Sequence, residues 1–255
     1  MRAVTLAALA VGLTLVSGPQ AGPVPAHAEP QTGPHLHFAS GHNPPLSNDQ
    51  QTGFNDLILK EALRRTGIGL SLRRVPTGRA GPLVNAGTED GCGPRILGFS
   101  KAFPELVVVD EPVITFEFVA FSRKQVMSFN GWDSLGEYTV GHLTGSVILE
   151  RNAKRHAGAA ISVQSVPQLF EMLERGRIDI AIIERWTGLH EVKKQGLRDV
   201  RMLSPDLARK PMYFFLNRKF APLAPRIAQA IREMKQDGTY DRLMVHALNP
   251  LLAEF

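Results

Sequence analysis

The stretch from Tyr138 to Glu184, YTVGHLTGSVILERNAKRHAGAAISVQSVPQLFEMLERGRIDIAIIE, carries the fold in its periodicity. Tyr138 to Gly141 reads as a strand that runs through Leu143-Thr144-Gly145-Ser146 into a helix over Val147–His156. Ile161 to Gln164 reads as the next strand. The helix after it has a complete start signal: Ser165 as N-cap, Pro167 in the first turn, and Gln168 placed to close a capping box. Leu169, Phe170 and Leu173 form its buried stripe, and Gly176 ends it. Ile178 to Ile183 is an apolar run bounded by polar groups, the pattern of a strand covered on both faces. The unit is β-α-β-α-β, and such alternation builds a largely parallel sheet in an α/β protein.

The same alternation extends outward. His35 to Ser40 reads as a strand, followed by the turn-rich loop Gly41-His42-Asn43-Pro44-Pro45. A helix follows from about Phe54 to Arg65, with Phe54, Leu57, Ile58 and Ala62 on its apolar stripe and Gly67 at its end. Leu70 to Val75 alternates as a second strand. A short helix over Gly81–Ala86 leads into a glycine-rich stretch, Gly87 to Gly98. Two further extended runs, Thr115 to Phe121 and Met212 to Leu216, flank the central unit. The simplest architecture makes each of them a crossing between two lobes. Residues 123–212 then form one lobe, inserted into another made from 29–122 and 213–255. The helix Leu223–Lys235, with Leu223, Ile227, Ile231 and Met234 on one face, returns to the first lobe.

The amino-terminal end predicts export. Met1-Arg2 is a short basic start, Ala3 to Val16 an uncharged and largely apolar run, and Ala26-His27-Ala28 a small-x-small cleavage site. The apolar run is shorter than the ~20 residues of a membrane span. Residues 1–28 are therefore read as a cleaved signal peptide, and the mature chain as freely soluble in the periplasm. The single cysteine, Cys92, excludes an internal disulfide and lies too far from the cleavage point for lipid attachment. Losing residues 1–28 removes Arg2 and takes the formal charge from +5 to +4. That excess is spread thinly, so no nucleic-acid footprint is expected. His35 and His37 lack a third ligand for a metal, Cys92 has no base nearby in sequence, and neither metal nor cofactor is expected.

Three segments resemble one known family. They are Trp132-Asp133-Ser134-Leu135 leading into Tyr138-Thr139-Val140-Gly141, Leu169-Phe170-Glu171-Met172-Leu173 leading into Gly176-Arg177-Ile178-Asp179, and Lys235-Gln236-Asp237-Gly238-Thr239-Tyr240. In this order they are similar to the bacterial extracellular solute-binding proteins of family 3, which serve polar amino-acid uptake. Arg79 to Gly91, Gly93-Pro94-Arg95-Ile96 and Phe103-Pro104-Glu105-Leu106 resemble a divergent branch of it. The resemblance implies a two-lobed type II periplasmic-binding-protein fold of the Venus-flytrap kind, with two hinge-crossing segments. It also implies a small solute, an amino acid or related carboxylate, and a partner permease of an ABC-type transporter. A monomer without enzymatic activity is expected. Two other readings stand beside this one. One is a dehydratase-like enzyme on the same fold, with Glu184 or His142 as acid or base; the other is a ligand-sensing partner of a membrane receptor.

The resemblance also carries site residues. The family's T-x-x-R arginine for a ligand carboxylate is missing, since that stretch reads Gly98-Phe99-Ser100-Lys101-Ala102-Phe103. Arg79 and Arg95 are the substitutes in the same lobe, because either fork could hold a carboxylate by two parallel bonds. Thr144-Gly145-Ser146 lies between a strand end and a helix start, where free backbone N–H groups favour an anion. Glu184 ends a strand where the family holds the ligand ammonium with an aspartate. His42 and Asn43 occupy the loop in which relatives carry a stacking aromatic. Trp186 is placed either on the cleft wall or in the core.

Overall fold

The computed structural model describes residues 33–123 and 129–252; the expected signal peptide, 1–28, lies outside the described residues. In chain order the elements are β1 (His35–Ser40), α1 (Phe54–Thr66), β2 (Gly69–Arg74), α2 (Ala80–Asn85), β3 (Gly91–Ile96), β4 (Leu106–Val108) and β5 (Ile114–Ser122). The central unit follows as β6 (Thr139–Leu143), α3 (Val147–His156), β7 (Ala159–Val163), α4 (Val166–Glu174) and β8 (Ile180–Glu184). The last elements are α5 (Arg185–Gln195), β9 (Arg201–Met202), β10 (Ala208–Asn217), α6 (Ala224–Gln236) and α7 (Thr239–Leu248).

Among the described residues the strands form one sheet in the order β2-β1-β3-β10-β5-β8-β6-β7, with β4 on β10 and β9 on β5. The two outer groups are parallel: β1 with β2 and β3, and β6 with β7 and β8. The middle is antiparallel, because β5 carries the chain from one group to the other and β10 brings it back. Phe118 to Ser122 of β5 pair with β8, while Ile114 to Phe118 pair with β10. Beyond Met212, β10 pairs instead with β3 and β4. Both extended runs read from the sequence are thus the links between the two halves of the sheet.

Strand alternation assigns each face its own cover. In β1, Leu36 and Phe38 join the core under α1 and α6, while Ala39 faces Ala80 and Val84 of α2. In β8, Ile180 and Ile182 pack with Leu149 and Ala153 of α3, whereas Ala181 and Ile183 pack with Leu169 of α4 and Leu189 of α5. The apolar run is therefore buried on both faces, as its composition predicts.

Helix ends follow local chemistry with one shift. The Ser165 hydroxyl accepts from the Gln168 N–H at 3.3 Å, but the Gln168 side chain accepts from the Gln164 N–H at 3.2 Å rather than closing the box on Ser165. Helix α1 has Gly53 as N-cap, and its N–H donates to the Asp56 carboxylate at 3.2 Å. The glycine-rich stretch holds a strand, β3, that its composition conceals. Gly91 is buried with no room for a side chain: an added Cβ would lie 2.1 Å from Cε2 of Phe38. The aromatic ring of β1 fills the space that a larger residue in β3 would take. Cys92 is buried beside it, its thiol pushed up to about 11 by burial, as suits a small core filler.

Candidate functional site

A cavity of about 620 Å³ opens at the carboxyl ends of β1, β3, β6 and β8, where open parallel sheets place their ligands. One side consists of Gly41, His42, Asn43 and Leu46 after β1, with Thr77, Arg95, Phe99 and Phe103. The facing side consists of Leu143 to Leu149 and Arg151, at the β6 end and the start of α3, with Ile183, Glu184 and Thr187. The linking strands supply the floor through Phe116, Phe118 and Met212. Exposed apolar side chains mark both rims, Ile96 at 43% and Val147 at 64%.

Arg95 is the buried charge on the first of these sides, at 7% exposure. Its Nη1 donates to Pro94 O at 3.0 Å and approaches His42 Nε2 at 2.8 Å, while Nη2 donates to Thr77 O at 2.9 Å. His42 Nε2 also lies 2.8 Å from Pro94 O, so Nη1, Nε2 and this carbonyl form one close cluster. Burial, reinforced by the Arg95 charge, depresses the His42 imidazole to about 3, which keeps it neutral. Among the described residues no carboxylate pairs with Arg95. Of its five N–H hydrogens, the Nε hydrogen and one on Nη2 have no acceptor among the described residues. Those two atoms form one edge of the fork that a carboxylate bridges. Arg79, the other candidate, is exposed at the start of α2 and lies outside the cavity wall.

The Thr144-Gly145-Ser146 loop does line the cavity, but its backbone N–H groups are occupied. Gly145, at φ +85°, takes a turn that L side chains resist, and this brings its N–H to Glu150 Oε1 at 2.5 Å. The Thr144 N–H donates to Val163 O at 2.9 Å, and the Thr144 hydroxyl lies 2.6 Å from Ser162 Oγ. An acid from α3 itself thus occupies the expected anion position.

Glu184 is buried at 6% exposure and caps α5. Its Oε1 accepts from the Trp186 N–H at 3.0 Å; its Oε2 accepts from the Thr187 N–H and hydroxyl, both at 2.9 Å. Burial raises the carboxyl to about 7 against those three bonds, and the neighbouring Glu117 adds to the rise. Arg185 does not pair with Glu184. It binds Glu117 of β5 at 2.6 Å and Asp206 at 3.2 Å, and Arg209 of β10 joins the same two acids at 2.7 Å each. Trp186 is half-buried against the core and outside the cavity wall, because its helical position turns it toward the packed side.

Sequence reading missed the aromatic part of the wall. Phe116 and Phe118 lie on the same face of β5, and Phe99 packs against Phe103 with ring centroids 4.9 Å apart. Alternation within the run Ile114 to Ser122 was the available signal for the first pair, although it does not tell a cavity from a core.

Comparison with solved structures places this geometry. An ancestral arginine-binding protein bound to arginine superposes with a TM-score of 0.70 at 20% identity, over 82% of this chain and 96% of the other. The GluR0 ligand-binding core in complex with L-glutamate gives 0.76 at 13% identity, over 85% and 99%. The fold is that of the two-lobed periplasmic binding proteins. A third periplasmic-binding-protein-like structure, a histidine kinase sensor domain, gives 0.73 at 14% identity, over 84% of this chain and 96% of that domain. In sequence, an uncharacterized protein of Shewanella oneidensis is 26% identical over 253 residues, covering 93% of this chain and 92% of its own. The L-cystine-binding protein TcyA of Bacillus subtilis is 25% identical over 89 residues, 34% of this chain and 33% of TcyA. No known family profile matches the chain.

Proposed function

We propose that this protein is a family-3-like solute-binding protein that captures a small carboxylate-bearing solute and is not an enzyme. Residues 1–28 direct it to the periplasm and are cleaved. Residues 29–122 with 213–255 form one lobe, 123–212 the other, and β5 with β10 form the hinge. The observation that carries the reading is a buried guanidinium, Arg95, without an acidic partner among the described residues, on the wall of a cavity of about 620 Å³. A buried charge of this kind calls for a counter-charge, and a ligand carboxylate supplies one. A solute bridging both sides favours the closed arrangement by its differential contacts. Delivery to an ABC-type permease, by a monomeric carrier, is the function that best fits the amino-acid-binding proteins sharing this fold.

A second reading, ligand sensing for a membrane receptor, is favoured by the likeness to a histidine kinase sensor domain. Both readings share ligand capture and differ in the partner. Thermal unfolding of the purified protein against amino acids, small carboxylates and polyamines tests the capture. A rise in Tm with at least one carboxylate is expected. No shift from any member would remove the reading.

A further inference from the structure

The cavity has the charge pattern of one half of an amino-acid site. Among the described residues Glu184 is the only acidic side chain on its wall. Both of its oxygens are engaged by the first turn of α5, with one bond to Oε1 and two to Oε2. The Thr187 hydroxyl donates to Glu184, and the Thr144 hydroxyl faces Ser162 and Val163 O. His42 Nε2 lies 2.8 Å from both Arg95 Nη1 and Pro94 O. An ammonium entering here would meet neutral oxygens, such as those of Asn43 and Ser146, and no carboxylate free of helix-cap bonds, and a buried charge without a counter-charge is strongly disfavoured. The carboxyl of Glu184 is also raised to about 7, which weakens it further as a counter-charge at neutral pH.

The opposite charge is well provided for. Arg95 is buried with a free edge on the guanidinium, and no acid pairs with it among the described residues. Four phenylalanines, Phe99, Phe103, Phe116 and Phe118, stand on the same wall. An apolar body that leaves water for such a wall gains roughly 25 cal/mol per Å² buried, without needing a polar partner.

We infer that the ligand is an apolar monocarboxylate, a carboxylate on an aromatic or branched hydrocarbon body with no ammonium group, held through the side-on edge of Arg95. This deepens the capture reading above and rests on it. The carboxylate bridges Nε and Nη2 of Arg95, and the hydrocarbon lies against the phenylalanines.

Matched pairs in titration calorimetry test it: L-phenylalanine against 3-phenylpropanoate, and L-leucine against 4-methylpentanoate. The member without the ammonium is expected to bind at least tenfold tighter, about 1.4 kcal/mol. Equal or tighter binding of either amino acid overturns the inference while leaving capture standing. Binding of neither pair also overturns it; if nothing in the wider thermal panel binds either, the capture reading fails as well. The neutral 3-phenylpropanamide, which keeps the body and loses the charge, is expected to bind at least tenfold more weakly than 3-phenylpropanoate. Parity between them would remove Arg95 from the role. Arg95→Lys, with its fold checked by circular dichroism, is expected to reduce that carboxylate-over-amide preference by at least fivefold. A preference unchanged in the folded variant counts against the assignment, and the amide comparison decides the matter if the variant does not fold.

Discussion

Glu184 sets two forces against each other, and a single substitution separates them. Burial favours the neutral acid, while three hydrogen bonds at the start of α5 favour the carboxylate. Burial prevails, moving the group from 4.5 to about 7. A carboxyl raised in the folded state contributes stability that is complete below its unfolded value and is lost as pH climbs through the folded one. The span from 4.5 to about 7 corresponds to about 3 kcal/mol. Glu184→Gln cannot titrate. Its amide keeps one acceptor but turns an NH₂ group toward a backbone donor, at a cost of about 1–3 kcal/mol. The variant should therefore be less stable than the wild type near pH 4.5 by that amount. The gap should close or invert by pH 8, changing by about 3 kcal/mol in total. Urea unfolding of both proteins at several pH values measures the gap directly, because His42, Asp56 and the other titrating groups cancel in the difference. A gap that stays constant, or widens in the wild type's favour as pH rises, would show that the helix-start bonds outweigh burial. The account of this carboxyl would then be wrong.

Two further substitutions probe the frame. Gly91→Ala drives a Cβ to 2.1 Å from the ring of Phe38, which packs edge-on to Phe214 with centroids 5.5 Å apart. Overpacking of this kind should cost about 1–3 kcal/mol in chemical denaturation, and an unchanged midpoint would mean the strand moves aside freely. Ser165→Ala removes the hydroxyl that accepts from Gln168 N–H at 3.3 Å. It should lower stability by about 1 kcal/mol, whereas no loss would assign the helix start to Pro167 and to the Gln168 bond with Gln164.

The segments that could be read in the sequence are those whose local pattern agrees with their tertiary role. Helix α4 combines cap, proline and apolar stripe within a dozen residues, and β8 is continuous because both faces are covered. Strand β3 fails that test. Gly91-Cys92-Gly93-Pro94 contains no β-former, and it is extended because β1 and β10 hold it from either side and Phe38 fills the missing side-chain volume. Helix α5 begins immediately after Glu184, so the residue read as a ligand group is also its cap. That double role is invisible in the sequence. Arg79 and Arg95 are equivalent as letters, yet one lies exposed at a helix start and the other is buried at a strand end.

From the amino-acid sequence alone came the alternation of strands and helices, the two runs that join the halves of the sheet, and the loops at the strand ends where a site would lie. These are local properties, written in periods of two and near four residues and in turn chemistry. Tertiary structure decided what those loops have left to offer a ligand. It committed Glu184 to a helix start and Gly145 to Glu150, and it left Arg95 facing a wall of phenylalanines. Hydrogen-bond capacity is consumed by neighbours distant in sequence, so only the assembled fold shows which groups remain free.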